Sequence, residues 1–197
     1  MIDKAFIDSH IDKLTDCVNK ASKEIINVYE GDDFGHIEKS DGSPLTIADK
    51  NANQVILDDL KSISSDISII SEETFENNQL KNLDKTYWLV DPLDGTKEFI
   101  NKTDEFTVNI ALIDNKQAIF GIVAAPVTGK VWYGSVFDKN ITEEGSVDKI
   151  RIVMSKSHKS ENDKAFLEFI DSKNINYEII EKGSSLKLCS LADNEAD

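Results

Sequence analysis

Residues 87–99 read YWLVDPLDGTKEF, and the interpretation of the whole chain starts from this stretch. Its first four residues are aromatic or branched and apolar, a composition that favours a buried β-strand. Asp91 ends the apolar run, Pro92 opens a predicted turn, and Asp94 follows three residues after Asp91. The stretch therefore predicts a strand that ends at a turn with two carboxylates at its mouth.

Two amphipathic helices are predicted before this strand. Apolar residues recur at alternating steps of four and three over residues 2–30, which is typical of one face of a long helix. A second helix is predicted to begin near Thr46, where Thr46 and Asp49 also fit an N-terminal capping box. Its buried stripe is predicted to contain Ala48, Ala52, Val55, Ile56, Leu60 and Ile63. Residues 31–43 are rich in turn formers and are predicted to form a loop.

Short β-branched or aromatic segments replace the helical pattern after residue 66. Five successive strands are predicted, at Ile67–Ser71, Thr86–Val90, Phe106–Ile113, Ala118–Ala124 and Lys130–Phe137. Because few helices separate them, we expect an antiparallel sheet covered by the two N-terminal helices. From residue 150 strands and helices alternate. The prediction is thus an α+β fold, a layered α/β sandwich, with an N-terminal domain at 1–148 and a partial C-terminal α/β domain at 149–197.

The composition excludes several classes of function. The 197 residues include 37 acidic and 22 basic ones, and the net charge of −15 disfavours binding to DNA, RNA or an anionic membrane. No run of eighteen apolar residues and no secretory signal occur, so we expect a cytoplasmic protein without a transmembrane segment. Peripheral attachment to the inner face of the cytoplasmic membrane and the oligomeric state stay open. Cys17 and Cys189 are predicted to be reduced, packed thiols.

Acidic residues follow two of the predicted strands. Glu72 and Glu73 follow the first strand, and Asp91 follows the second, so neighbouring strands would bring them to one edge of a sheet. Converging carboxylates repel one another unless a cation neutralises them, and Mg²⁺ is a natural hard cation for oxygen ligands. Taken alone, Glu72-Glu73 fits a solvated pair and Asp94-Gly95 an ordinary turn. The order of the motifs favours a metal site.

The residues after Asp94 fit the binding of a phosphate group. If Thr96 opens a helical turn, the backbone N–H groups there point at a potential phosphate dianion. Arg151 is the only arginine in the sequence, so a bound phosphate would depend on lysines, backbone N–H groups or metal ions. A Thr96 hydroxyl close to the Asp49 carboxylate would also be able to orient an attacking water.

Four segments together resemble the inositol monophosphatase superfamily of Mg²⁺-dependent, Li⁺-sensitive phosphatases. They are DGSPLTIAD at 41–49, SEE at 71–73, WLVDPLDGTKEF at 88–99 and FTVNIAL at 106–112. The resemblance implies the layered α/β sandwich of the sugar-phosphatase type. Within the superfamily, KEF at 97–99, SKSH at 155–158 and GSSLKLC at 183–189 resemble the 3'(2'),5'-bisphosphate nucleotidases.

The resemblance also implies a role for individual residues. The implied metal ligands are Glu72, Asp91, Asp94 and the backbone carbonyl of Leu93. The implied catalytic pair that activates water is Asp49 with Thr96, and the implied phosphate-binding amides are those of Gly95 and Thr96. The implied nucleotide contacts are Lys39, Ser157, His158, Ser185 and Lys187. For His158, a surface histidine after a strand is an equally good interpretation.

The activity that the resemblance implies is removal of the 3'-phosphate of adenosine 3',5'-bisphosphate, which gives AMP and phosphate in sulfate assimilation. The implied partner is a small-molecule nucleotide and the implied cofactor is Mg²⁺. The alternative within enzymes is an inositol or sugar phosphate phosphatase.

One departure from the family pattern concerns a Trp-Asp motif whose aspartate completes the metal site. Here Trp88 precedes Leu89 and Trp132 precedes Tyr133, so the motif does not occur. We therefore expect a C-terminally truncated member with an incomplete metal site and little or no activity. An inactive metal-binding or nucleotide-binding fragment is the alternative of another class.

Overall fold

The protein is represented by a computed structural model. It describes residues 2–31, 34–35, 37–38, 44–75, 83–138, 149–157 and 160–197. Backbone contacts divide the chain into two compact units, residues 1–139 and 140–197. The predicted domain boundary between residues 148 and 149 borders a segment that lies outside the described residues.

The first helix, α1, spans Lys4–Tyr29, as its periodicity predicts. Asp3 caps its start, because an Asp3 carboxylate oxygen accepts a hydrogen bond from the backbone N–H of Phe6 at 3.0 Å. One face of α1 is buried and the opposite face is polar. In the described part of the chain, no helix has both the length and the apolar character needed to cross a membrane.

The second helix, α2, spans Ile47–Ile63 and begins with the predicted capping box of Thr46 and Asp49. Four of the six residues in the predicted apolar stripe are fully buried. The other two, Val55 and Ile63, are partly buried at the margin of the core. The buried positions of α2 that carry polar groups are Asp49 and Asn53. Buried polar side chains need specific partners, so this face of α2 has a role beyond core packing.

The predicted loop at residues 31–43 is partly wrong. A two-residue strand, β1 (Ile37–Glu38), pairs antiparallel with β2 (Pro44–Leu45) just before α2. The β-branched Ile37 favours an extended backbone, but the turn-forming residues around it predict a loop, so the sequence pattern did not indicate this short pairing.

The central sheet contains five strands, as predicted. They are β3 (Ser68–Ser71), β4 (Thr86–Asp94), β5 (Thr107–Asp114), β6 (Gln117–Ala125) and β7 (Lys130–Ser135). Their order in the sheet follows the sequence, and α1 and α2 pack on one face. The predicted α+β class is confirmed.

One pairing corrects the antiparallel prediction. β3 and β4 are parallel, while the three later pairs are antiparallel. Parallel neighbours need a crossover of a dozen residues or more, and residues 72–85 provide such a connection. A connection of this length permits parallel pairing but does not by itself decide it.

Strand β4 alternates between the helix-covered face and the opposite face of the sheet. Trp88 and Val90 are buried, whereas Leu89 between them is 44% exposed. The indole Nε1–H of Trp88 donates a hydrogen bond to the hydroxyl of Ser64, at 2.8 Å, which satisfies both buried polar groups. Trp88 thereby joins the end of α2 to the middle of the sheet.

Trp88→Phe is expected to lower the free energy of unfolding by about 2–4 kcal/mol, because it removes buried volume and leaves the Ser64 hydroxyl without its partner. Urea denaturation followed by circular dichroism measures the loss. Trp132→Phe is the matched control, since Trp132 is only half-buried on the edge strand β7, and its expected loss is below about 1 kcal/mol. Equal losses in the two variants would contradict the packing described for Trp88.

The second unit contains a strand–helix–strand motif that agrees with the prediction for this region. Its elements are β8 (Ile150–Ser155), α4 (Glu161–Ser172), β9 (Tyr177–Lys182) and a short final helix α5 (Leu186–Ala192). β8 and β9 are parallel, and α4 forms the crossover between them. The guanidinium of Arg151 forms an ion pair with Asp197 at 2.7 Å.

Both cysteines are buried and neither forms a disulfide, in agreement with the predicted reduced thiols. Burial, with a smaller contribution from Asp59, raises the pKa of the Cys17 thiol to about 12. A thiol with this pKa is almost entirely protonated at neutral pH, and it is therefore a poor nucleophile.

Candidate active site

Parallel pairing brings the first acidic residues together. In the register of β3 and β4, Ser71 lies opposite Val90. Glu72, which follows β3 and begins a short 3-10 helix (Glu72–Thr74), and Asp91, the next residue of β4, therefore lie at the same end of the strand pair, here called the acidic edge. The side chain of Glu72 forms a hydrogen bond with Asp91. An antiparallel pair would have put these two residues at opposite ends of the strands.

A β-bulge brings Asp94 to the same face as Asp91. β4 advances three residues, from Asp91 to Asp94, while β5 moves only two, between Asn109 and Thr107. In a regular strand residues three apart point to opposite faces, and the extra residue of a bulge cancels this difference. Pro92 has no N–H to contribute to the ladder, so it is tolerated at the bulge.

The continuous strand corrects the prediction of a turn at Pro92. The strand was predicted to end before Asp91, but β4 extends through Asp94. The bulge performs the role expected of the turn, because it presents both carboxylates to one side. The backbone N–H of Leu93 donates a hydrogen bond to the Asp91 carboxylate at 3.2 Å.

The electrostatics of Asp91 are unusual for a carboxyl group. Burial raises the pKa of Asp91 to about 8, with further contributions from the negative charges of Glu72 and Asp94 and from the hydrogen bond with Glu72. Carboxyl groups whose pKa is strongly shifted by burial and by specific charged neighbours are frequent at functional sites. The carboxylates of Glu72, Asp91 and Asp94 repel one another, so all three can be ionised together only if a positive charge lies nearby.

The donor set fits a hard divalent cation. Glu72, Asp91 and Asp94 supply carboxylate oxygens, which are the ligands that such cations prefer. Within the described ranges, no group of three or more histidine, cysteine and acidic side chains lies close enough together to hold a metal ion. The three carboxylates therefore do not form a preformed metal site. They repel one another, and a bound cation would draw them together.

The segment after Asp94 forms a short helix, α3 (Thr96–Ile100). Gly95 precedes it with φ of 92°, a left-handed conformation that glycine adopts without steric cost. The sharp change of direction at Gly95 places Thr96 at the first position of the helix. The predicted helical turn after Gly95 is confirmed.

Asp49 is 1% exposed and lies next to Thr96. One Asp49 carboxylate oxygen accepts hydrogen bonds from the backbone N–H and the hydroxyl of Thr46, at 2.7 and 2.6 Å. The other oxygen accepts from the Thr96 hydroxyl at 3.4 Å. The capping interaction therefore fixes the carboxylate so that its second oxygen faces Thr96.

The Thr96 hydroxyl has two possible acceptors but only one hydrogen. Its oxygen lies 3.2 Å from the carbonyl oxygen of Leu93, besides the 3.4 Å contact with Asp49. The hydrogen can point to one acceptor at a time, and the hydroxyl lone pairs stay available to accept a hydrogen bond from a water. This arrangement is suited to relaying or orienting a proton.

Two polar residues near the acidic edge were missed by the sequence reasoning. The hydroxyl of Ser71, the residue before Glu72, donates a hydrogen bond to the side-chain oxygen of Asn53 on α2 at 2.6 Å. Both side chains are buried. Asn53 lies four residues after Asp49, on the same helix face, and this spacing was the available signal. The bond fixes the end of β3 to α2.

The predicted nucleotide contacts fall in two groups. Lys39 and His158 lie outside the described residues. In the second unit, Ser157 follows β8, whereas Ser185 and Lys187 follow β9. Because β8 and β9 are parallel, with Ser155 opposite Lys182, the segments after them meet at one edge of this strand pair. The Lys187 ammonium donates a hydrogen bond to the carbonyl of Ser184 at 2.6 Å.

Comparison with known proteins agrees with the resemblance in the motifs. A model of the inositol monophosphatase family matches residues 9–197. The 3'(2'),5'-bisphosphate nucleotidase CysQ of Escherichia coli strain K12 is 38% identical over 196 residues, which cover 94% of this chain and 78% of that protein.

Solved structures give the same result. The crystal structure of CysQ from Bacteroides thetaiotaomicron, a bacterial member of the inositol monophosphatase family, has a TM-score of 0.78 and 31% identity, and the match covers 95% of this chain and 78% of that one. The Thermotoga maritima IMPase has a TM-score of 0.75 over 96% of this chain and 74% of its own, at 19% identity, which shows the fold alone. This chain belongs to the inositol monophosphatase family.

Proposed function

We propose that the protein is a Mg²⁺-dependent phosphomonoesterase that removes the 3'-phosphate of adenosine 3',5'-bisphosphate and gives AMP and phosphate. The observation that carries the proposal is the juxtaposition of two groups of residues. The acidic residues that follow β3 and end β4 adjoin buried Asp49 and half-buried Thr96, because the Thr96 hydroxyl contacts the Leu93 carbonyl of β4. The Thr96 hydroxyl oxygen lies 3.4 Å from an Asp49 carboxylate oxygen. The substrate is proposed because relatives more than 30% identical are named 3'(2'),5'-bisphosphate nucleotidases.

Glu72, Asp91, Asp94 and the carbonyl of Leu93 are the residues that would hold Mg²⁺. When bound, the ion would supply positive charge to the phosphoryl group and to the attacking water. The negative charge of the three carboxylates supports this assignment, as does the hydrogen bond between Asp91 and the backbone of Leu93. That bond ties the Asp91 carboxylate to the backbone of the residue that carries the proposed carbonyl ligand.

Thr96 is proposed to orient the attacking water. When its hydroxyl donates to Asp49, the oxygen lone pairs accept a hydrogen bond from the water, which directs a water lone pair toward phosphorus. Asp49 has two further hydrogen bonds from Thr46, which keep the carboxylate in place while the hydrogen moves. Asp49 would accept the proton that the water loses.

The amides of Gly95 and Thr96 are proposed to bind the phosphate oxygens. They begin α3, where backbone N–H groups have no partner within the helix. The Gly95 backbone is left-handed, with φ of 92°, and glycine has no Cβ to obstruct a close phosphate.

The nucleotide is proposed to contact Ser157, Ser185 and Lys187, together with Lys39 and His158. Ser157 and Ser185 both follow the carboxyl ends of a parallel strand pair, and this position supports the assignment because such ends commonly bind ligands. The proposed setting is sulfate assimilation in the cytoplasm.

The substrate assignment predicts a preference that can be measured. The Trp-Asp motif does not occur, so the purified protein is expected to release phosphate only slowly. Its kcat/KM for adenosine 3',5'-bisphosphate should nevertheless be at least about tenfold above that for inositol 1-phosphate, a difference of about 1.4 kcal/mol in transition-state stabilisation. Phosphate release is measured with Mg²⁺ and with EDTA, and activity should require the metal. Equal or faster turnover of inositol 1-phosphate would contradict the nucleotide assignment.

A second measurement separates failure of catalysis from failure of the metal site. Isothermal titration with Mg²⁺ reports binding whether or not any substrate turns over. Mg²⁺ binding without phosphate release from either substrate would contradict the proposed activity but would agree with the proposed metal site. Absence of Mg²⁺ binding would contradict both.

A further inference from the structure

The hydrogen bond between Ser71 and Asn53 links the end of β3 to α2. The Ser71 hydroxyl donates to the side-chain oxygen of Asn53 at 2.6 Å. Ser71 is 1% exposed and Asn53 is 7% exposed. A buried hydrogen bond between two side chains is costly to break, because each group that loses its partner stays away from water. The bond is therefore a firm connection between the two elements.

Ser71 lies at a capping position, but its hydroxyl does not cap. It immediately precedes the 3-10 helix Glu72–Thr74, and its side chain makes no capping hydrogen bond to that helix. A serine before a helical turn commonly accepts a hydrogen bond from a backbone N–H of the turn. Here the hydroxyl is directed to α2 instead. The bond to Asn53 therefore fixes the chain at the point where it leaves β3, one residue before Glu72.

The end of β3 has limited support from the sheet itself. β3 has four residues and lies at the edge of the sheet, next to β4. Its last register pair is Ser71 with Val90, so the pairing stops just before Glu72 and Asp91. When both carboxylates are ionised, they repel each other and favour separation of the two strand ends. The bond to Asn53 opposes this separation, because it holds the last residue of β3 on α2.

The same face of α2 also carries Asp49. Asn53 follows Asp49 by four residues, about one helical turn, and both side chains are buried. An Asp49 carboxylate oxygen accepts the 3.4 Å hydrogen bond from the Thr96 hydroxyl. Successive turns of α2 thus contact the residue proposed to orient water and the strand end that leads into Glu72.

We propose that Asn53 and Ser71 are positioning residues, whose hydrogen bond holds Glu72 beside Asp91 at the acidic edge for the binding of a divalent cation. The inference rests on the proposed metal-binding role of Glu72, and neither residue has a part in the mechanism proposed above. A site that is already ordered loses less conformational freedom when its ligand binds. Removal of the bond should therefore weaken cation binding.

The direct test is calorimetric titration of Ser71→Ala, Asn53→Ala and the double variant with Mg²⁺. Each single variant is expected to raise the Mg²⁺ dissociation constant by about three- to tenfold, less than the loss of about 10–100-fold typical of groups that bond a metal ligand directly. The double variant should bind about as weakly as either single variant, because all three lack the same bond. Unchanged affinity in either single variant, or additive losses in the double variant, would overturn the inference.

Ser71→Thr tests whether the hydroxyl itself is responsible. Threonine keeps a hydroxyl at this position and its β-branched side chain suits a strand. This variant should bind Mg²⁺ more tightly than Ser71→Ala. Equal weakness of the two variants would show that the hydrogen bond is not the cause of the loss and would overturn the inference.

Ser64→Ala is the matched control at the other end of α2. The Ser64 hydroxyl accepts the buried 2.8 Å hydrogen bond from Trp88, so this variant also removes a serine hydroxyl from a link between α2 and the sheet. It should lower the melting temperature about as much as Ser71→Ala does, yet keep the wild-type Mg²⁺ affinity. Equal losses of affinity in Ser64→Ala and Ser71→Ala would mean that general loosening of the helix explains the effect, and would overturn the inference.

Titration of the wild-type protein separates this inference from the proposed function, because Mg²⁺ binding is measured without any phosphate release. Mg²⁺ binding by the wild type with unchanged affinity in the variants would overturn the inference and agree with the proposed metal site. Failure of the wild type to bind Mg²⁺ would overturn the proposed metal site together with this inference.

Discussion

Asp91→Asn is expected to abolish phosphate release and to leave the fold intact. The amide nearly preserves the volume of the carboxylate but removes one of three converging negative charges. Since those charges are the proposed attraction for Mg²⁺, the variant should also lose the rise in melting temperature that Mg²⁺ gives to the wild-type protein. Phosphate release and thermal unfolding, each with and without Mg²⁺, measure the two effects. Retained activity would contradict the role of Asp91 as a ligand.

The same variant should change the pH dependence of stability in EDTA. Asp91 has a pKa of about 8 in the folded protein against an ordinary value of 3.8, so between about pH 4 and pH 8 the folded protein holds a proton that the unfolded chain has released. Wild-type stability should therefore fall as the pH rises through this window. In Asp91→Asn this contribution is absent. At pH 8 in EDTA the variant should be at least as stable as the wild type, and a clear loss of stability there would contradict the repulsion described for this edge.

Thr96→Val is expected to lower kcat by about 10²–10⁴-fold, because the variant keeps the shape of the side chain and loses the hydroxyl that is proposed to orient water. Mg²⁺ affinity should stay close to the wild-type value, since the carboxylates are unchanged. Steady-state kinetics and Mg²⁺ titration measure the two quantities.

Two control variants make the Thr96 result specific. Thr96→Ser keeps a hydroxyl and should retain most of the activity. Thr46→Val removes one hydrogen bond to Asp49 but leaves the contact between Asp49 and Thr96, and it should mainly reduce stability, by about 1 kcal/mol as expected for a helix cap. If Thr96→Val kept wild-type kcat, the proposed orientation of water by its hydroxyl would be wrong.

The sequence was sufficient for most of the helices and strands and for the meeting of Glu72 and Asp91, but it did not predict the β1–β2 pair. The helices α1 and α2 followed from periodicity, and the start of α2 followed from the capping signal at Thr46. The convergence of Glu72 and Asp91 was expected from their positions after neighbouring strands. Periodicity and turn signals are local, and these features depend on local patterns.

Strand pairing was not predictable in the same way. The parallel register of β3 and β4 depends on which edge of the sheet is free after the crossover, which no local pattern encodes. The bulge between Asp91 and Asp94 was read as a turn because Pro92 is a common turn residue. The buried hydrogen bond between Ser71 and Asn53 joins β3 to α2, so it appears only once the helix is packed on the sheet.

The central claim is that Glu72, Asp91 and Asp94 bind one divalent metal ion at the shared edge of β3 and β4. A crystal structure of the protein grown with Mn²⁺, with data recorded at an energy where manganese scatters anomalously, tests it directly. The predicted result is an anomalous difference peak within coordination distance of oxygens from all three carboxylates, and no such peak in Asp91→Asn. A strong peak elsewhere with none at this edge, or the same peak in Asp91→Asn, would contradict the claim.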